Sequence, residues 1–223
     1  MRMIFTNREE AGRRLAESLS DYEGEKNTLV LALPRGGVPV ARQISHALHL
    51  PLDLLLVRKL GVPGHEELAM GAIAWGNIRY FNDDIVKSLN ISRDEIDRVV
   101  DREQRVLVER NSLYRNDRPP PRVEDKTVII VDDGLATGAT MKAAVAAMRQ
   151  AGAANIAVAV PVGAPSACTD LESLADTVVC LSTPEPFYGV GRWYADFSQT
   201  SDFEVQELLE MAAADAAGSR ERS

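Results

Sequence analysis

"VIIVDDGLATGAT", residues 128–140, decides how this chain folds. Four β-branched residues, Val128 to Val131, run into two carboxylates, Asp132 and Asp133, and then into a loop with almost no side chain. A short β-branched run of this kind suits a strand buried on both faces. Thr137, Gly138, Ala139 and Thr140 then lie between the strand end and a helix whose apolar face is Met141, Ala144, Val145 and Met148. Small side chains let backbone N–H groups converge on one anion. The helix N-terminus adds positive potential, and the threonine hydroxyls donate further hydrogen bonds. The segment therefore reads as a phosphate cup. Asp132 and Asp133 would repel that phosphate, so they need another partner nearby: hydroxyl groups or a hydrated divalent cation. A sugar phosphate offers both, with its phosphate in the cup and its ring hydroxyls at the carboxylates. A turn with an acidic helix cap is the plainer reading. The crowding of polar and glycine positions at one strand end weighs against it.

Outward from this segment, strands alternate with helices. Strand one is "TLVLAL", 28–33, broken by "PRGG", 34–37, before a helix that Pro39 can open and that runs to about Leu48. Strand two is "LDLLLV", 52–57, followed by "RKLGVPGHEELAMG", 58–71, a polar, glycine-containing connection. "AIAWGNIRYF" alternates around Gly76-Asn77 and reads as a tight hairpin. Asn7 with Glu10, Ser92 with Glu95, and Ser201 with Glu204 have the spacing of helix starts. The helix from 92 to about 115 mixes acids and arginines in the manner of a solvated, salt-bridged face, and "RPPPR", 118–122, is a stiff linker. Later strands fall at 156–160 and 177–181, with a helix around 165–175 between them. Residues 215–223 read as a disordered tail. This alternation argues for an α/β fold, a parallel sheet with helices on both faces, in which ligands sit beyond the carboxyl ends of the strands where strand order reverses.

The 223 residues are 45% hydrophobic and 26% charged, with a net charge of −8. That composition suits one globular domain. It argues against broad nucleic-acid or membrane-surface binding, which needs a basic footprint. No apolar run approaches a membrane span, and the first residues lack the apolar core of a signal peptide. Cys168 and Cys180 match no metal spacing and read as buried free thiols in a reducing cytoplasm. The sequence contains no G-x-x-x-x-G-K-[ST] P-loop, no G-x-G-x-x-G after a strand and no G-x-S-x-G nucleophile elbow.

"VIIVDDGLATGAT" resembles the phosphoribosyl pyrophosphate (PRPP) signature of type I phosphoribosyltransferases: an apolar strand, two acids and a T-G-x-T cup. The resemblance implies a parallel sheet of order 3-2-1-4-5, a small hood at 183–200 and a helical insertion at about 84–122, all in one domain spanning 1–214. It implies that Asp132 and Asp133 hold the ribose hydroxyls, with Mg²⁺ bound indirectly through them. Ala136, Thr137, Gly138, Ala139 and Thr140 would hold the 5-phosphate. "PRGG" is similar to the family's pyrophosphate loop, where a non-proline cis peptide is common, here at Pro34–Arg35. Arg35, Gly36 and Gly37, with Arg58, Lys59 and His65 from a connection that closes as a lid, would meet the pyrophosphate. Asp132, Asp133, Lys59 and Arg35 are the expected catalytic group. The aromatic segment "PFYGVGRWY", 186–194, is expected near the acceptor through Tyr188 and Trp193, or else as a hydrophobic plug. Hypoxanthine-guanine enzymes carry an acid just before the cup's T-G. Ala136 stands there instead, which disfavours a 6-oxopurine acceptor.

The expected activity is Mg²⁺-dependent transfer of 5-phosphoribosyl from PRPP to a nitrogenous, base-like acceptor, with release of pyrophosphate. The expected setting is the cytoplasm, in a homodimer, with no nucleic-acid partner. Two rivals stand beside it. A PRPP-sensing regulator would keep the fold without turnover. A phosphate hydrolase would need a nucleophile or a two-metal ligand set, and the sequence offers neither.

Overall fold

The computed structural model describes residues 4–116 and 118–220. The chain opens with α1 (Arg8–Glu17), β1 (Thr28–Ala32), α2 (Gly37–Leu48) and β2 (Leu52–Leu54). Next come β3 (Val57–Val62), β4 (His65–Ala74), β5 (Ile78–Phe81), α3 (Asp83–Ser88) and α4 (Arg93–Arg115). β6 (Thr127–Val131), α5 (Ala139–Gln150), β7 (Asn155–Val162), α6 (Pro165–Glu172), β8 (Thr177–Ser182) and α7 (Asp202–Arg220) complete it.

Five strands form one sheet in the order β2-β1-β6-β7-β8, and every pairing in it is parallel. Side chains alternate across it. Val30, Ala32, Ile129, Val131, Ala157 and Ala159 pack on one face in a core shared with α1 and α2. Leu29, Leu31, Val128, Ile130, Ile156 and Val158 pack on the other with α5 and α6. Continuous apolar strands are therefore buried twice over, as their composition implies. The reversal of strand order falls between β1 and β6, because β2 lies outside β1 while the chain proceeds from β6 to β7 and β8 on the other side.

The expected order is refined at its edge. The third strand does not extend this sheet. It belongs to a separate antiparallel sheet, β3-β4-β5. The expected polar connection at 58–71 is itself mostly strand, an arm of the β3–β4 hairpin with irregular register at Leu60 to Val62. The reason is two-sided burial: Leu60, Val62, Met70 and Ile73 join the core containing Val99 and Leu107 of α4, whereas Val57, Ala72 and Ala74 join the core containing Met141 and Ala144 of α5. The β4–β5 turn is as expected, with Gly76 and Asn77 both at positive φ.

Helix starts follow their caps. Asn7 accepts from Glu10 N, Ser92 and Glu95 form a reciprocal capping box, and Ser201 accepts from Glu204 N. α4 buries Val99, Val100, Leu107 and Tyr114 of its apolar seam, and it departs from the expected solvated character only at Glu103, Asn111 and Arg115, which are buried with them. The expected disordered tail is also corrected. α7 continues through Asp215 to Arg220, and Asp215 accepts from Arg42 at 2.7 Å and contacts His46 Nδ1 at 2.9 Å, both on α2. Its alanine-rich sequence favours helix once those ion pairs dock it. Residues 221–223 lie outside the described residues. Cys168 is buried and Cys180 half-buried, with their Sγ atoms 3.0 Å apart as free thiols. Among the described residues no helix is long and apolar enough to cross a membrane.

Arg115 anchors the end of α4 to the main sheet. Its Nε and Nη2 donate to Asp53 of β2 at 2.8 and 2.7 Å, and its nitrogens also reach Asn111 and the carbonyls of Arg118 and Pro119. Arg115→Ala removes these donors together and leaves the Asp53 carboxylate only the Leu54 amide. The expected loss is about 3 kcal/mol of stability by denaturant unfolding.

Candidate active site

The two glycine-containing loops leave the carboxyl ends of β1 and β6, the adjacent strands at the reversal. After β1, the Pro34–Arg35 peptide is cis, as expected. Gly36 and Gly37 follow against the end of β6. A Cβ on Gly37 would lie 2.6 Å from Val131 O, and one on Gly36 would lie 2.0 Å from Asp133 Oδ2. Only residues without side chains let the two loops approach so closely. After β6, Gly138 takes a left-handed φ of 71° and caps α5. Ala136, Thr137 and Thr140 are disposed around it, and Thr137 Oγ1 accepts from Ala139 N at 3.4 Å. The first-turn amides of α5 have no intrahelical acceptor, and apart from the Ala139 bond to Thr137 they face the loop as an anion-favouring end.

Asp132 and Asp133 sit half-buried between these loops. Burial, and then the neighbouring Asp133 charge, pushes Asp132 well above the usual carboxylate range. Burial also raises Asp133, against the pull of Arg8. That arginine is absent from the expected site residues. Its Nε donates to Asp133 Oδ2 at 2.9 Å, its Nη2 lies 2.8 Å from the same oxygen, and its Nη1 donates to Ser198 O at 2.6 Å. The guanidinium lies 4.0 Å from the centroid of the Phe197 ring. One signal for it exists in the sequence: a cation at the first position of a helix opposes the macrodipole, so it needs another reason to be there. Tyr194 also supports the pair, donating from its hydroxyl to Asp133 O at 2.7 Å. Burial, then the Asp133 charge, pushes that phenol far up, so it stays a donor.

A cleft of about 430 Å³, lined by Pro34 of the β1 loop and Thr140 of the cup but by neither acid, opens between the β1 loop, the β3–β4 hairpin and α4. Arg58 and Lys59, the expected pyrophosphate-binding residues of the hairpin, line it. His65 is exposed at the hairpin turn and does not line it. Glu103 of α4, expected on a solvated face, is buried here. It accepts from Arg58 Nε at 2.7 Å and from Arg102 Nε at 3.0 Å. Burial works against its charge, but those two hydrogen bonds prevail and hold its pKa below the usual range. Arg35 Nη1 lies 3.4 Å from Asp202 Oδ1 at the start of α7, and Tyr114 donates to the same carboxylate. Burial, then Asp202, pushes the Tyr114 phenol up to about 12.

The aromatic segment divides. Trp193 is only 5% exposed and packs with Phe5, Val162 and Tyr194, so it cannot offer a face to an acceptor. It is the plug. Tyr188 is 64% exposed. Trp193→Ala is expected to cost about 3–5 kcal/mol of stability, whereas Tyr188→Ala should change it by less than about 0.5 kcal/mol. Thermal unfolding of the two variants checks the division.

A paired-acid strand end flanked by two anion-binding loops at a sheet reversal defines a sugar-phosphate-binding α/β fold. The phosphoribosyl transferase domain family matches residues 79–192, which contain both acids and the whole cup, and the chain belongs to that family. A protein of Mycobacterium tuberculosis strain H37Rv, provisionally named a phosphoribosyl transferase, is 44% identical over 215 residues, covering 96% of this chain and 48% of the relative. Its counterpart in strain CDC 1551 matches equally. The chain thus spans about half the length of the curated relatives it matches. The crystal structure of TT1426 from Thermus thermophilus superposes with a TM-score of 0.86 at 39% identity, covering 93% of this chain and 98% of that one.

Proposed function

We propose that this protein transfers a 5-phosphoribosyl group from PRPP to a nitrogen of a small base-like acceptor and releases pyrophosphate. The observation that carries the reading is the placement of the "PRGG" loop and the phosphate cup on adjacent strands, with Asp132 and Asp133 between them. The cup's amides and threonine hydroxyls bind the 5-phosphate. The two carboxylates accept hydrogen bonds from the ribose hydroxyls, with Asp133 oriented by Arg8 and Tyr194. The backbone of Gly36 and Gly37, with Arg35, Arg58 and Lys59, binds the diphosphate. The bond to C1 breaks with oxocarbenium character, so positioning and stabilisation of the leaving charge provide most of the rate.

The donor set suits Mg²⁺. Two carboxylates whose charged forms are disfavoured by burial and mutual repulsion gain from a nearby cation. Among the described residues no group of three metal-ligating side chains occurs, so the remaining ligands would be substrate oxygens and water. When bound, the ion neutralises diphosphate charge. The acidic net charge and the free thiols fit a cytoplasmic enzyme without a nucleic-acid partner, and a homodimer is the expected assembly.

Incubation with PRPP, Mg²⁺ and a panel of bases, following pyrophosphate release, tests the reading. Release that depends on one base supports it. PRPP binding without release for any nitrogenous acceptor would replace it with the sensing role.

A further inference from the structure

The 430 Å³ cleft has a wall that belongs to neither loop. Pro34, Arg58, Lys59 and Thr140 line it from the loops and the hairpin, while Arg102 and Arg110 line it from α4. Most of these cations are already matched. Arg58 and Arg102 share Glu103, and Lys59 lies 3.7 Å from Glu67. Glu66 and Glu67 are exposed on the hairpin.

Arg110 differs. It is half-buried, it follows Glu103 by two helical turns on the same face, and among the described residues it has neither an ion-pair nor a hydrogen-bond partner. It lies close enough to Tyr114 to favour that residue's ionisation, as does Arg35 of the β1 loop. The two guanidiniums therefore approach one region from different elements. A guanidinium partly withdrawn from water without an anion is unfavourable unless a ligand brings one.

We propose that Arg110 is a diphosphate-binding residue, which pairs from the α4 side of the cleft with the pyrophosphate end of PRPP and with released pyrophosphate. This rests on the transfer reading and extends it: α4 becomes part of the substrate site rather than a cover over it. The cleft is of ligand size, and its lining carries four cations, Arg58, Lys59, Arg102 and Arg110, against three acids, Glu66, Glu67 and Glu103.

Calorimetry with three probes tests it: inorganic pyrophosphate with Mg²⁺, PRPP, and ribose 5-phosphate. Arg110→Ala is expected to weaken pyrophosphate and PRPP roughly ten- to a hundredfold, the value of one charge-assisted hydrogen bond, and to leave ribose 5-phosphate unchanged. Arg110→Lys should restore part of the loss. Arg105→Ala, at an exposed position of the same helix, should change nothing. Unchanged pyrophosphate affinity in Arg110→Ala would overturn the proposal, as would equal weakening of all three probes. Where the parent protein binds ribose 5-phosphate and pyrophosphate but Arg110→Ala is indifferent, only this inference falls. A parent that binds none of the probes overturns the transfer reading and this inference with it.

Discussion

Asp132→Asn combined with Asp133→Asn is expected to weaken PRPP binding by at least ~100-fold, two charge-assisted hydrogen bonds being worth about 1.5–3 kcal/mol each. The variant should still fold, because neither carboxylate contributes to the apolar core. The single variants separate the two acids. Asp132 is raised well above its ordinary range, mainly by burial, so its contribution to stability is full in acid and is lost as pH rises through the raised value. Asp132→Asn removes that loss and should stabilise the ligand-free protein at neutral pH by about 1 kcal/mol. Asp133→Asn weakens the partner of a buried guanidinium and should cost about 2 kcal/mol. Calorimetry with PRPP and denaturant unfolding across pH measure both effects. A folded double variant with parental PRPP affinity would remove the acid pair from the site.

Gly37→Ala is the second large effect. The new Cβ would meet Val131 O at 2.6 Å and Asp132 Cα at 3.0 Å, backbone atoms that cannot yield without moving the strand end. The β1 loop must retreat from β6, carrying with it the amides proposed to bind diphosphate. We expect a stability loss of about 1–3 kcal/mol and roughly tenfold or greater weakening of pyrophosphate, with ribose 5-phosphate retained in the cup. Gly24→Ala is the control. That glycine has a φ of +69° but nothing within 4 Å of its Cβ, so the variant should lose a little stability and no affinity. Equal pyrophosphate affinity in the Gly37 variant and its parent would show that the close approach of the loops does not matter.

The parts of the fold legible in the sequence are those set by near neighbours along the chain. The strand and cup at 128–140, the caps at Asn7, Ser92 and Ser201, and the turn at Gly76-Asn77 are each decided within a few residues. The β3–β4 hairpin is not legible in this way. Gly61, Pro63 and Gly64 signal a loop locally, while its strand character comes from burial between α4 and α5. Glu103 reads as solvated because the partner that buries it, Arg58, lies 45 residues away. The same holds for Arg8 and Asp133, 125 residues apart. A charged side chain does not disclose its counter-ion in a linear sequence. The sites that depend on buried ion pairs are therefore the ones a sequence pattern misses.

The meeting of residues 4–8 with residues 193–198 has a consequence for the order in which the site can be made. Ile4 and Phe5 donate to Trp193 O, Ala195 donates to Phe5 O, and Arg8 reaches both Asp133 and Ser198. During synthesis Arg8 emerges before the acid pair, and the segment that fixes Arg8 emerges after both. A nascent chain ending after α6 would have both anion loops, yet its arginine would lack the Ser198 carbonyl and the Phe197 ring. The full support of the acid pair thus arrives only once residue 198 has been made. Premature termination anywhere before residue 198 should give products that assemble the sheet but leave the acid pair without its full support.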